Sequence, residues 1–361
     1  MLSFLIILAI PTIIALFVTL YFKGTVTWAE FALQVGVAAV IACIGLTISY
    51  KSRVHDTELW NGMVSSRNPV HVSCSHSYSC NCRTTTSGSG KNSSTSTTCD
   101  TCYEHSFDQD WRVSATTGET IDIDRIDRQG LLMPPRWAAA YKGEPFSSQH
   151  TFSNYILANP GSVLLGGQGD ISRFPGLIPT YPAIYDVYHT HHFILQGTFD
   201  GFDRKDWDYL VEEINKDLGP VKQVNVIVLV VKTADPSYLY ALRTAWVGGK
   251  KNDAVIVIGS LDGHRIEWVD VMSWTTSESY KVLVRDALTQ VGTLDQRDAI
   301  ANNIRTITKS DFERLHMKKM QYLMSSSEMP GGQIALLILL VSIIELGLAW
   351  WCVNNDITDS N

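Results

Sequence analysis

The sequence predicts a membrane protein with three spanning helices and a mixed α+β, α/β water-soluble domain between the second and third spans. Two observations predict it: long uncharged stretches at both ends of the chain, and an alternation of apolar strands with amphipathic helices in its second half. Charged residues make up only 18% of the chain, below the usual quarter of a soluble protein.

The deficit is confined to three stretches. Leu2 to Phe22 has no charged side chain, Ala29 to Tyr50 has only Glu30, and Ile334 to Val353 has only Glu345. Each matches the roughly 20 residues that cross a hydrocarbon core as a helix. The first lacks a basic start and a small-residue cleavage site, so it reads as a span and not as a removed signal peptide. Lys23 to Thr27 reads as a tight turn between two antiparallel spans, and Trp28, Tyr50, Trp350 and Trp351 stand where interfacial aromatic belts lie. Lys51 and Arg53 follow the second span, and Arg314, Lys318 and Lys319 precede the third. The other side has Lys23 and a tail ending in Asp356 and Asp359. The positive-inside rule therefore predicts a cytoplasmic soluble domain.

Five segments follow: a two-helix hairpin at 1–53, a cysteine-rich region at 54–182, an α/β domain at 183–311, a linker helix at 312–330, and the third span with its tail at 331–361. In the α/β segment, Val224 to Lys232 and Ala254 to Gly259 are continuous apolar runs, as in strands buried on both faces. Arg265 to Met272 alternates and pairs back as a hairpin after Asp262-Gly263. Helices are predicted from Asp206 to Leu218, from Asp235-Pro236 to Trp246, and from Ser277 to Val291. Ser310 to Glu313 reads as a capping box opening the linker helix. Ala32 and Gly36 offer a small face for helix packing in the second span. Glu345, near the middle of the third, should face protein, with Thr12, Gln34 and Ser49 as candidate partners.

Five of the seven cysteines lie between Cys74 and Cys102. Cys80-x-Cys82 and Cys99-x-x-Cys102 are two short ligand pairs joined by a polar loop that cannot form a core, which is how structural zinc sites are built. Zinc would supply folding energy that this stretch cannot obtain by burial. Cys74, His71, His76 and His105 are alternate ligands or a second site. The rival reading is a pair of disulfides in an oxidising compartment. His189 and His191, on one face of a strand, are a weaker metal candidate.

The stretch from about Thr198 to Asp311 resembles the TPM domain of membrane-anchored proteins. A helix and the strand VNVIVLVVK lead to a helix ending at Trp246, then Gly248, Gly249, Asp253 and the strand AVIVIG. The family's next glycine-rich turn is replaced by Val269-Asp270-Val271-Met272. The resemblance implies an α/β sandwich and, from members described as phosphatases or calcium binders, Asp253 as a candidate polar residue. The overall layout also resembles uncharacterised membrane proteins of large tailed bacteriophages.

No nucleophile elbow, P-loop, kinase or dinucleotide motif occurs. The net charge of −7, with no basic stripe, argues against nucleic acid. The expected function is therefore a membrane-tethered binding or scaffold protein with a structural zinc site and a protein partner or homo-oligomer. The alternatives are a phosphatase-like hydrolase using Asp253 and Asp235, and a transport or channel component.

Overall fold

The computed structural model describes residues 2–21, 27–87, 94–159, 162–165, 169–185, 187, 190–326 and 329–355. The turn expected at Lys23 to Thr27 lies mostly outside them, as does His189. The chain divides into two units, residues 1–57, 151–165 and 316–361 in one and 58–150 and 166–315 in the other.

The first unit holds three helices long and apolar enough to cross a membrane. These are α1 (Leu2–Tyr21), α2 (Trp28–Val54) and α8 (Gly331–Asn355). Glu30 does not stand bare at the start of α2: it closes a capping box with Thr27, whose backbone N–H donates to Glu30 Oε2 at 2.7 Å. Ile7, Ala38, Ala42, Leu337 and Val341 pack the interior. The small face differs from the one expected. Ala32 and Gly36 are exposed, and nothing lies within 4 Å of a Cβ built on Gly36. Helical spacing instead turns Ala38, Ala42 and Gly45 inward, where Leu337 Cδ1 would stand 2.6 Å from a Cβ at Gly45. Glu345 faces protein, at 1% exposure. Ser49 is not its partner, since it donates to Gln333 at 2.6 Å.

The second unit is built on two sheets. One has the order β10-β9-β8-β7, from β7 (Phe193–Gln196), β8 (Asn225–Val231), β9 (Asp253–Gly259) and β10 (Trp268–Ser273). β7, β8 and β9 are parallel, and β10 is antiparallel to β9. Every residue of β8 and β9 is buried, because helices cover both faces. Val226, Val228 and Val230 pack with Trp207, Ile214, Tyr280 and Ile300 from α4 (Arg204–Lys222), α6 (Glu278–Val291) and α7 (Arg297–Asp311). Val255 and Val257 turn to the opposite face, against Leu239 and Leu242 of α5 (Tyr238–Ala245). Each such side chain contributes roughly 1.5–3 kcal/mol on burial.

The other sheet lies in the cysteine-rich region expected at 54–182. Its order is β5-β4-β1-β6, from β1 (His55–Val72), β4 (Asp108–Ala115), β5 (Thr120–Ile123) and β6 (Pro145–Ser153). Val64, Trp111, Val113 and Phe146 fill its core, with Trp137 from the short helix α3 (Pro135–Ala139). Many of its strand residues are polar, so its alternation is weak in the sequence. The boundary expected at 182/183 falls inside this compact unit. Across it, Asn61 Nδ2 donates to Asn225 at 2.6 Å and to Asn215 at 3.2 Å, and Ser147 donates to Asn61 at 2.6 Å.

The expected linker helix is also different. Ser310 lies in the last turn of α7, and the chain leaves it extended at Phe312. Phe312 is 1% exposed and stacks edge-on against Tyr280, so core packing outweighs the capping pattern. A 3₁₀ stretch, Met317–Ser326, follows.

Candidate metal centre

Between β1 and β4 the chain makes an excursion, a two-stranded ribbon of β2 (Ser77–Ser87) and β3 (Ser94–Tyr103). Its register pairs Tyr78 with Cys102 and Cys80 with Asp100, then shifts before Arg83 and Thr98, with Asn81 at φ 48°. This geometry joins Cys80 to Cys102 and Cys82 to Cys99 as disulfides. The expected zinc ligand set is thereby corrected: a sulfur spent in a cystine is no longer a thiolate ligand. The ribbon buries almost nothing, and two strands alone are marginal in water, so the cross-links hold it.

The remaining cysteine of this unit stands at the ribbon's base. Cys74 and His76 precede β2, and His105 and Asp108 follow β3. The ligand atoms of these four residues lie within 4.8 Å of one another. Cys74 Sγ is 3.7 Å from His105 Nδ1, His105 Nδ1 is 3.3 Å from Asp108 Oδ1, and His76 Nδ1 is 3.8 Å from Asp108 Oδ2. Donors held about 2.0–2.3 Å from a tetrahedral zinc stand about 3.3–3.6 Å apart; the spacings here are close to that or somewhat wider, so the group could hold one ion. Cys74 is 6% exposed and Asp108 is fully buried.

Asp108 is oriented from behind. Its Oδ2 accepts from the Ser75 backbone N–H at 3.0 Å, Ser75 Oγ at 3.2 Å and Arg125 Nη1 at 2.8 Å. The Ser75 N–H above all, then Arg125, holds the carboxyl well below its ordinary range despite burial. Oδ1 is left facing His105. Supporting hydrogen bonds of this kind fix ligand geometry. The arrangement is unlike a thiol nucleophile with its base. In such a triad the thiol and the carboxylate use opposite ring nitrogens, whereas here both approach Nδ1 of His105.

Other expected residues lie elsewhere. His71 stacks on Phe107, at 4.2 Å between centroids, outside the cluster. Asp253 is buried and accepts from Tyr181 at 3.0 Å, Asn225 at 2.8 Å and the Lys250 N–H at 2.7 Å. Burial raises it to about 6 against those bonds. Asp235 is an exposed-side partner of Arg173, at 2.7 Å. Gly248 and Gly249 take φ of 82° and 77° in the turn after Trp246, a backbone glycine favours. His191 lies 3.2 Å from Glu212 and 3.9 Å from Asp208, carboxylates on α4 that sequence spacing did not connect to it. Asp108 was also missed. Its signal was the His105-x-x-Asp108 spacing, which is too common to stand out.

No family model matches the chain, and no curated protein and no solved structure matches it either.

Proposed function

We propose that the protein is a membrane-tethered, non-enzymatic binding module whose second unit carries one structural Zn²⁺ on Cys74, His76, His105 and Asp108 and lies in an oxidising compartment. The observation that carries this reading is the set of four convergent donors at the base of a disulfide-clasped, largely exposed ribbon. Two nitrogens, a thiolate and a carboxylate would supply the four ligands of a tetrahedral ion and leave no open position for substrate, as in structural zinc sites. A soft thiolate with imidazoles favours zinc over magnesium or calcium. The disulfides favour an oxidising side, against the orientation expected from Lys51 and Arg53. The positive-inside bias rests on a handful of residues, whereas two cystines in one ribbon require an oxidant. The TPM-like reading of residues 198–311 is consistent with a binding role, since Asp253 is enclosed by its hydrogen-bond partners.

The purified full chain should hold one equivalent of zinc. Co²⁺ in its place should give thiolate charge-transfer absorption that Cys74→Ser abolishes. A protein that takes up no metal, or whose cobalt spectrum survives Cys74→Ser, defeats the zinc reading. A reporter active only in oxidising compartments, placed in segment 88–93, should be active, and activity only of a cytoplasmic reporter defeats the orientation.

A further inference from the structure

We infer that metal occupancy of this centre controls the order of loop 124–134, a loop that displays an apolar run. The inference rests on the zinc reading above and deepens it. Ile126, Leu131, Leu132 and Met133 are 57%, 55%, 60% and 52% exposed. Such a concentration on one loop is unusual for a soluble surface.

The loop has no strand or helix of its own. Asp127 organises its tip, its carboxylate accepting the backbone N–H groups of Gly130, Leu131 and Leu132 at 3.0, 3.1 and 3.0 Å. Arg128 pairs with Glu104 at 2.9 Å, and most other contacts that hold the loop are made to residues 107–111. The Gln109 N–H donates to Gln129 O at 2.8 Å, and Gln129 Nε2 donates to Phe107 O at 3.0 Å. Trp111 Nε1 donates to Gly130 O at 2.9 Å. Arg125 bridges Asp108 at 2.8 Å and Asp110 at 2.6 Å. At Gly130 the backbones are so close that a Cβ would stand 2.0 Å from Gln109 O.

The loop therefore takes its shape from the segment that contains one of the four metal donors, Asp108, and that begins two residues after another, His105. A bound ion ties His105 and Asp108 to Cys74 and His76 across the ribbon's base. Without it, that junction keeps only hydrogen bonds, and Asp108 Oδ1 loses its strongest neighbour. Looseness there passes through Arg125 and Gln129 to the loop. The ribbon is held by its own disulfides and should not respond.

Hydrogen–deuterium exchange on the full chain, in detergent, tests this. Chelation should speed exchange at Gly130, Leu131 and Leu132 at least tenfold and leave the ribbon strands unchanged, and Zn²⁺ should restore the slow rate. Arg125→Gln, with one zinc still bound, should speed the same three amides. If one equivalent of zinc binds and leaves the loop's exchange unchanged, the coupling is wrong while the zinc reading stands. If no metal binds, both fall.

Discussion

Glu58 and Arg314, separated by 256 positions in the chain, form a buried ion pair that fastens the first residues of the second unit to its last. Arg314 Nε donates to Glu58 Oε2 at 3.2 Å, and its Nη2 binds Oε1. The Glu58 side chain is fully buried, and Lys251 and His150 also approach it, at 3.2 and 3.1 Å. Chain entering and chain leaving the unit are thereby held together.

Breaking this pair should be costly, because the partner is left as a buried, uncompensated charge. Glu58→Gln should lower the unit's unfolding free energy by roughly 3–5 kcal/mol. Denaturant unfolding followed by tryptophan fluorescence measures it. A loss within error of zero would show the cluster to be solvated.

The buried polar network should give two opposed pH dependences. Burial pulls His192, whose Nε2 lies 3.2 Å from Asn61 Oδ1, down to about 4, while burial raises Asp253 to about 6. For His192 the unfolded chain binds more protons below about pH 6.5, so its contribution is complete above that pH and is lost as pH falls toward 4. For Asp253 the unfolded chain ionises first, so its contribution is complete below about pH 4 and is lost as pH rises toward 6. Each effect is on the order of 3 kcal/mol, and the two nearly cancel. Asp253→Asn should leave stability rising from pH 4 to 6, and His192→Asn should leave it falling. Parallel pH profiles for the two variants would contradict this.

Reduction should act locally. With Cys80–Cys102 and Cys82–Cys99 opened, protease should cut within 77–103 while the α/β sheet keeps its thermal transition. Denatured, unreduced protein should show three reactive thiols, Cys43, Cys74 and Cys352. Seven would mean that the cystines do not form.

In the helical unit, Gly45→Ala should overpack the contact with Leu337, at a cost of about 1–3 kcal/mol. Leu337→Ala in the same chain should recover part of it. Thermal unfolding in detergent reads both, and strictly additive losses would show that the two residues do not touch.

Much of this was legible in the residues themselves. Three apolar stretches can only be buried or placed in lipid, so charge spacing alone marks α1, α2 and α8. The runs in β8 and β9 are buried on both faces, and burial on both faces leaves Val226 to Val231 and Ala254 to Ile258 without a polar side chain. β4 buries one face, at Trp111, Val113 and Ala115, while β1 buries Glu58 and Asn61 among its apolar residues, and these polar side chains are satisfied by partners distant in the chain. Their pattern therefore reads as irregular until those partners are known.

The cysteines divide the two sources of information most sharply. Sequence spacing determined that Cys74 to His105 would be cross-linked, because the stretch is too polar to hold a fold by burial. It could not determine by which chemistry. That depends on which sulfurs a strand register brings together, and on a carboxylate, Asp108, whose place beside His105 comes from the pairing of β4 with β1. Metal donors have to converge within a few ångströms, and convergence is a property of tertiary structure alone.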